Sequence, residues 1–219
     1  MIGAYEYMKN NVKNKLAFSD RMMEYIKGRY DDNFICIEKK SRVYDETQQN
    51  IYVKSKKYPD EYINVGYTNM NGQEIFNDNY MYFVYREQTT NFLHDLLKNA
   101  LNVEFKLYYG EAPYVGLKKL PDNATFHEYI SSEASRLSFA AIMAPGFDAG
   151  DKNDIIRKLK AAFASHNMII EVAVLFFCSE ADVYETLTDK NLVSYMISHK
   201  ESTLNMHWIG TDDEKLTWK

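Results

Sequence analysis

The sequence predicts an α+β protein in which a long N-terminal helix packs on an antiparallel meander and a smaller α/β unit follows. Three patterns support this prediction. Apolar residues recur at helical spacing in residues 4–30, short strand-like runs joined by turns fill residues 34–78, and strands alternate with helices after residue 102. Because the first two patterns are adjacent, the helix is expected to cover the sheet that follows it.

The chain is predicted to form two units, residues 1–101 and residues 102–219. Twelve of its 18 tyrosines lie before residue 101. Residues 1–100 carry 14 basic and 14 acidic side chains, so the net charge of −5 falls entirely on the remainder. A chain of 219 residues is long enough to bury a hydrophobic core without disulfides or a structural metal.

The N-terminal helix is predicted over residues 4–30. Its apolar stripe is narrow, which is typical of a helix that lies across one face of a sheet. The polar segment Asp31-Asp32-Asn33 ends the helix. The stripe consists of Met8, Val12, Leu16, Met23, Ile26 and Tyr30.

Four strands are predicted next. Their ranges are 34–39, 50–57, 61–68 and 73–78. In the second strand, Ile51 and Val53 are expected to point to the same face. Gly66 indicates a bulge or a close backbone approach. The pair Asn71-Gly72 is a strong signal for a tight hairpin turn.

The second half is predicted to alternate strands and helices, after a helix over residues 79–101. Thr125 and Glu128 form a capping box that begins a short helix. The strand over 168–178 is the most apolar and is expected at the centre of its sheet. The other predictions are strands over 103–110, 136–144 and 202–210, helices over 151–166 and 179–188 with Asp151 and Ser179 as caps, and a polar tail over 211–219.

Composition disfavours several function classes. The acidic net charge argues against nucleic acid as a partner, which requires a basic surface. No run of 18 apolar residues is present, so no membrane insertion is predicted and the chain as given is expected to be soluble. The first residues lack the apolar core of a signal peptide, and whether an export segment preceded Met1 is left open, as is the oligomeric state.

No cofactor and no catalytic residues are predicted, since the Gly-rich phosphate loops and the G-x-S-x-G elbow are missing. Cys36 and Cys178, the two cysteines, both lie in apolar strand-like runs. We expect buried free thiols, with a disulfide between the two halves as the alternative. A pairing of Cys178 with a histidine in space is a further alternative.

No metal site is predicted either. The five histidines form no H-E-x-x-H or His-x-His pattern. Asp148, Asp151 and Asp154 are spaced three apart near a helix start, but the positions required by a calcium loop are not matched. Asp151 as a helix cap and Asp154 as a first-turn acid explain this spacing, with an adventitious cation site as the alternative.

The segment Asp78-Asn79-Tyr80 is the first candidate binding site. In one interpretation it is a strand-to-helix junction, where Asp78 caps the next helix and Tyr80 packs beneath the sheet. In the other, it places a polar group at the open end of a cone between helix and sheet, where a ligand binds.

A tyrosine-rich sheet face is the second candidate. Rigid aromatic side chains on such a face make contacts with other proteins at low entropic cost. The alternative is that these residues belong to amphipathic strands half covered by helices. The residues expected to line the face are Tyr52, Tyr62, Tyr67 and Tyr82, together with Lys54, Lys56 and Lys57.

Three short phrases occur in a recognisable order. They are Tyr25-Ile26-Lys27 with Arg29-Tyr30 and Phe34, then Ile75 with Asp78-Asn79-Tyr80, and later Leu120-Pro121 with Thr125-Phe126 and Glu128-Tyr129. In these phrases and in the order of its elements, the chain resembles uncharacterised surface-anchored, lipoprotein-like proteins of Gram-positive bacteria. The resemblance implies a cystatin-like helix-on-meander unit and an extracytoplasmic location, and it implies no catalytic residues. The lipid-attachment cysteine of that group has no counterpart in this sequence.

The sequence therefore favours a non-enzymatic binding or interaction module, extracellular or at the cell surface if an export segment was removed. Its candidate partner is another protein. One alternative is a cytoplasmic accessory or immunity-type protein that binds a basic partner through the acidic second half. The other is a hydrolase or isomerase with a small pocket, which requires titratable side chains in contact inside a cavity.

Overall fold

Two β-sheets organise the structure, one antiparallel with four strands and one mixed with five. Helices accompany both sheets, so the predicted α+β class is confirmed. The computed structural model describes residues 18–38, 48–110, 120–121, 123–132, 137–146, 152–188, 190–199, 203–209 and 213–218. The chain divides into two compact units between Phe83 and Val84, inside a helix, and residues 121–123 belong to the first unit.

The first unit contains helix α1 and four strands, in which consecutive strands pair antiparallel as neighbours. This is the predicted meander. The bounds are residues 18–29 for the described part of α1, Phe34–Glu38 for β1, Gln48–Ser55 for β2, Ile63–Met70 for β3 and Gln73–Asp78 for β4. The predicted start of the N-terminal helix, at residue 4, lies outside the described residues.

Helix α1 packs on one face of the four-stranded sheet. Tyr25 stacks on Phe76 of β4 with ring centroids 5.5 Å apart, and Phe18 contacts Tyr67 of β3 at 4.7 Å. These ring pairs join the helix to the two strands farthest from β1. The sheet face beneath α1 is therefore closed by aromatic contacts.

The buried stripe of α1 differs by one residue from the predicted one. Met22 and Ile26 are buried, whereas Met23 is half-buried. Two adjacent methionines fit the helical period almost equally well, and the sheet selects which of them is covered. On β2, Ile51 and Val53 are both buried, which confirms that they share a face.

Asn71 and Gly72 form the turn between β3 and β4, with φ of 54° and 82°. Both values lie in the left-handed region that this two-residue hairpin requires, so the predicted turn is confirmed. At Gly66 the register continues on both sides without a bulge. A Cβ at Gly66 would overlap the side-chain oxygen of Asn77, so a side chain rather than backbone makes the close approach there.

The second unit contains a five-stranded sheet in the order β5-β6-β7-β8-β9, where β6 and β7 are parallel and the other neighbours antiparallel. Helix α2 begins in the first unit and continues into the second. The bounds are α2 Tyr80–Leu101, β5 Phe105–Gly110, α3 Phe126–Ile130, β6 Leu137–Met143, α4 Lys152–Ala164, β7 Ile170–Phe177, α5 Ala181–Thr186, α6 Leu192–Ser198, β8 Thr203–Ile209 and β9 Asp213–Trp218.

The five-stranded sheet has helices on both faces. On one face, Phe105 contacts His94 of α2 and Phe139 contacts Phe163 of α4, with ring centroids 4.9 and 5.9 Å apart. On the other face, α5 and α6 pack on the sheet through a buried cluster. Its members are Ala140, Ile142, Phe176, Cys178, Leu187 and Leu192. Strand β7 is third of five, so its predicted central position is confirmed.

Of the helix caps predicted in the second half of the chain, some are confirmed and one is wrong. The capping box is confirmed, because the Thr125 hydroxyl accepts from the Glu128 N–H and the Glu128 carboxylate accepts from the Thr125 N–H. Ser179 is not the cap of α5, which begins after Glu180. The predicted cap Asp151 lies outside the described residues, while Asp154 lies in the first turn of α4 as predicted.

The end of the chain differs most from prediction. Residues 211–219 are predicted as a polar tail, but Asp213–Trp218 forms β9 and pairs antiparallel with β8. The edge of β8 offers backbone donors and acceptors, and composition does not reveal this opportunity. Helix α6 is also absent from the predictions, because seven residues contain too few turns to show a helical period.

Candidate functional site

A buried polar cluster joins α1 to the end of β4. The Asp78 carboxylate accepts hydrogen bonds from the hydroxyls of Tyr25 and Tyr30, at 2.8 and 3.0 Å. Arg29 donates to the Tyr25 hydroxyl at 2.5 Å, and its guanidinium lies 3.8 Å from the Asp78 carboxylate. The Asp78 side chain is only 2% exposed, so these donors replace the water it loses. We call Tyr25, Arg29, Tyr30 and Asp78 the Asp78 cluster.

The same carboxylate begins helix α2. Asp78 Oδ1 accepts from the backbone N–H of Tyr80 at 2.9 Å, which confirms the predicted capping role. Tyr80 is buried, its ring packs on those of Tyr30 and Phe34, and its hydroxyl donates to Asp32 at 2.9 Å. The strand-to-helix interpretation of this segment is therefore confirmed.

Electrostatics explains the protonation of these groups. Burial, followed by the charge of Asp78, raises the pKa of Tyr25 and Tyr30 well above the usual range, against the opposing effect of Arg29. The pKa of Asp32 is lowered overall. Burial acts to raise it, but hydrogen bonds from Ser55 and Tyr80 outweigh that effect. The two cluster tyrosines are therefore neutral hydrogen-bond donors at neutral pH.

The four tyrosines predicted to share an exposed sheet face do not share one. Tyr67 is 2% exposed and lies on the α1 side of β3. Tyr82 lies in α2, where its ring contacts that of Phe83. Tyr52 and Tyr62 belong to the opposite side of the sheet. Tyr62 and Tyr67 are an odd number of residues apart, so strand alternation alone separates them.

That opposite side is apolar and exposed beside β1. Ile35 and Ile37 of β1 are 68% and 49% exposed, and Tyr62, just before β3, is 55% exposed. Lys54 pairs with Ile35 across the strands, and its ammonium lies 5.2 Å from the centroid of the Tyr62 ring. We call the surface formed by Ile35, Ile37, Tyr52, Lys54 and Tyr62 the open face.

The two isoleucines were not predicted as site residues, because the run Phe34–Ile37 looks uniformly apolar. β1 is the edge strand of its sheet, and Phe34 points to the core while Ile35 points to solvent. The register shifts between Cys36 and Glu38, so Ile37 is an extra residue opposite Tyr52. Ile35 and Ile37 are two residues apart, so strand alternation turns both toward the same exposed side.

The two cysteines are free, as expected. Cys178 is buried and Cys36 half-buried. The Cys178 thiol donates to the carbonyl of Glu180 at 3.3 Å and lies 3.6 Å from the hydroxyl of Tyr195. Burial and the hydrogen bond with Cys178 raise the pKa of Tyr195 to about 12, and its ring stacks on His199. Tyr195 thus contacts both groups, and in the described part of the chain no contact joins Cys178 to a histidine.

Three further features bear on the alternatives. Among the described residues, no group of three or more His, Cys, Asp or Glu side chains is placed to hold a metal ion. Within the same residues, no helix combines the length and apolar character needed to cross a bilayer. A groove between α2 and α4 contains Asp95, Arg157, Lys158 and His166, and no hydrogen bond or ion pair joins any two of these four side chains.

Comparisons with known proteins add little to this geometry. No protein-family model matches the sequence, and neither does any curated protein. Among solved structures, the chain is similar to the crystal structure of a DUF5037 family protein from Ruminococcus gnavus ATCC 29149. The two share 11% identity, the alignment covers 90% of this chain and 95% of that one, and the TM-score is 0.38. A similarity of this degree supports no inference about function.

Proposed function

We propose that the protein is a non-enzymatic binding module whose open face binds another protein. The observation that supports the proposal is the exposure of Ile35, Ile37 and Tyr62 together on one side of the four-stranded sheet. Isolated exposed apolar residues are normal, but several grouped on one surface are typical of an interaction site.

The chemistry of the open face defines the partner. Isoleucine and tyrosine provide large contact areas, and Tyr62 loses little side-chain entropy on binding. Lys54 contributes a cation in the middle of the apolar residues, where it already lies over the Tyr62 ring. The complementary partner is a protein with an apolar surface that carries a carboxylate opposite Lys54.

The other side of the sheet supplies rigidity. Ile51 and Val53 are fully packed beneath the open face, and the Asp78 cluster fixes α1 to β4. A surface built on paired strands with a packed core pays a smaller ordering cost on binding than a mobile loop does.

Photocrosslinking in cells that express the protein naturally is the direct test. In one variant a benzophenone amino acid replaces Tyr62. In a second variant it replaces Ile197, which is 61% exposed on α6 in the other unit. We expect an adduct from position 62 and not from position 197. The captured protein is then purified and titrated against wild-type protein.

The titration decides the proposal. Ile35→Glu is expected to weaken binding of the captured protein at least about tenfold, because it places a charge in the apolar centre of the surface. Ile197→Glu is the matched control and is expected to leave the affinity unchanged. Equal affinities for wild type, Ile35→Glu and Ile197→Glu would contradict the role of the open face.

We also propose an extracytoplasmic location. The resemblance of Tyr25-Ile26-Lys27, Asp78-Asn79-Tyr80 and the later phrases to surface-anchored proteins supports it. Protease added to intact cells that express the natural gene tests it. Degradation of the protein, with a cytoplasmic marker left intact, is the expected result, and protection until lysis would favour the cytoplasmic alternative.

A further inference from the structure

A groove between α2 and α4 lies in the second unit, far along the sequence from the open face. Its volume is about 600 Å³, which falls within the range of small-molecule sites. Apolar and polar side chains both line the groove. The apolar lining consists of Phe92, Leu96, Ala100, Ala161 and Ala162, and the polar lining of Asp95, Asn99, Arg157, Lys158, Ser165 and His166.

Phe92 is the first lining residue of α2 and His166 the last after α4, so their contact indicates that the two helices run antiparallel along the groove. At one end the rings of Phe92 and His166 meet edge to face, with centroids 4.9 Å apart. From there the lining continues up α2 to Ala100 and back along α4 to Arg157. A separation of eight or nine helical residues corresponds to about 12 Å, which sets the length of an occupant.

Small side chains create the space. Ala161 and Ala162 of α4 and Ala100 of α2 leave room between the helix backbones, and Leu96 is buried beneath them. An apolar body lying here would cover alanine surface, chiefly that of the exposed Ala161, which water now contacts. Removal of this apolar area from water favours binding.

Charge is distributed unevenly along the groove. Arg157 and Lys158 lie at the Ala100 end, and both pair with the single carboxylate of Asp154. Two cationic side chains therefore pair with one carboxylate on that rim. Asp95 lies nearer the Phe92 end, where an anionic group would be repelled. The basic end is therefore the favourable position for a negatively charged head group.

We propose that this groove binds an elongated carboxylate ligand, with its apolar body along Leu96 and Ala162 and its carboxylate beside Arg157 and Lys158. The polarity of the groove fixes the orientation. The short side chains of α4 provide the width, and the helical spacing provides the length. This site is independent of the open face, and neither requires the other.

Octanoate is the probe, and octanol is the matched compound without the charge. Each is titrated into the full chain while the backbone and methyl NMR signals are followed. We expect octanoate to shift signals of Leu96, Ala161 and Ala162 in a saturable manner, and octanol to bind at least about fivefold more weakly, the effect of one exposed ion pair. No saturation by about 10 mM octanoate, or equal affinity for octanol, would overturn the proposal.

Two pairs of variants locate the site. Ala161→Trp fills the groove and is expected to abolish octanoate binding, whereas Ala164→Trp, also exposed on α4 but outside the lining, is expected to leave it unchanged. The double variant Arg157→Gln/Lys158→Gln is expected to weaken octanoate about fivefold without affecting octanol.

Binding that survives Ala161→Trp would place the site elsewhere and overturn the assignment. The NMR spectrum of Ala161→Trp shows whether this variant is folded. If it is unfolded, the double variant Arg157→Gln/Lys158→Gln tests the proposal in its place. A third outcome is possible, in which neither octanoate nor octanol binds, but a protein captured by wild type is no longer captured by Ala161→Trp. In that case the groove binds a partner helix, and the carboxylate assignment is wrong.

Discussion

The hydroxyl of Tyr30 donates a 3.0 Å hydrogen bond to Asp78, across 48 residues of sequence. Asp78 also accepts from Tyr25 and from the first backbone N–H of α2. One carboxylate thereby fixes the end of α1, the end of β4 and the beginning of α2. The Asp78 cluster determines how the first unit is assembled, and the open face lies on the reverse of the sheet that it holds.

Removal of either hydroxyl is expected to destabilise the protein. Tyr25→Phe and Tyr30→Phe should each lower the free energy of unfolding by about 1–2 kcal/mol, since each leaves the buried carboxylate with one donor fewer. The double variant should lose at least about 0.5 kcal/mol more than the sum, because the two donors serve one acceptor. Urea unfolding measures all three.

Tyr62→Phe is the control for these variants, because Tyr62 is exposed and lies outside the cluster. It should change the free energy of unfolding by less than about 0.5 kcal/mol. Strict additivity of the two cluster substitutions would show that the hydroxyls act independently.

Alkaline pH should destabilise the fold through the same residues. In the folded state the pKa of Tyr25 and of Tyr30 is raised, so above the unfolded-state pKa of about 10 the folded protein holds protons that the unfolded chain releases. The stabilisation is fully present below about pH 10 and is lost as the pH rises beyond it. Urea unfolding at a series of pH values should show this decline.

The Tyr25→Phe/Tyr30→Phe variant should show a shallower decline than wild type over the same pH series. Identical slopes would mean that other groups cause the alkaline loss. Absorbance of tyrosinate gives an independent readout, since the two buried residues should ionise only together with unfolding.

Lys106 is expected to stabilise α5. Its ammonium donates to the backbone carbonyls of Tyr184, Glu185 and Leu187 at the end of the helix, at 2.5, 3.1 and 2.9 Å. Lys106→Met keeps the aliphatic stem but removes the donor, and should lower the free energy of unfolding by about 1–2 kcal/mol.

Hydrogen exchange checks where the Lys106 effect acts, because the amides of α5 should lose protection first. Lys98→Met is the matched substitution. Lys98 makes an exposed ion pair with Glu104, and its loss should have the smaller effect. An equal or larger effect of Lys98→Met would contradict the role assigned to Lys106.

Thr89 offers a stabilising substitution. Its hydroxyl is buried in α2 and has no hydrogen-bond partner among the described residues. Thr89→Val removes this polar group at nearly constant shape and should raise the free energy of unfolding by about 1 kcal/mol. Thr90, whose hydroxyl donates to the carbonyl of Arg86 at 2.8 Å, is the comparison, and Thr90→Val should not stabilise.

Local chemistry made much of the fold predictable. The Asn71-Gly72 turn, the capping box of Thr125 and Glu128, and the shared face of Ile51 and Val53 depend on neighbours close in sequence or on the strand period. Each was predicted, and each is confirmed. The role of Asp78 at the start of α2 belongs to the same class, because a cap acts within a few residues.

Tertiary structure decided the features that depend on contacts between residues far apart in sequence. The choice of Met22 over Met23, the pairing of β9 with β8, and the exposure of Ile35 and Ile37 all depend on which element lies alongside. Sequence composition measures how apolar a residue is, but not whether another part of the chain covers it. For the same reason the sequence alone supplied the α+β class and the candidate tyrosines, while the open face and the groove between α2 and α4 emerged only when the strands and helices were brought together.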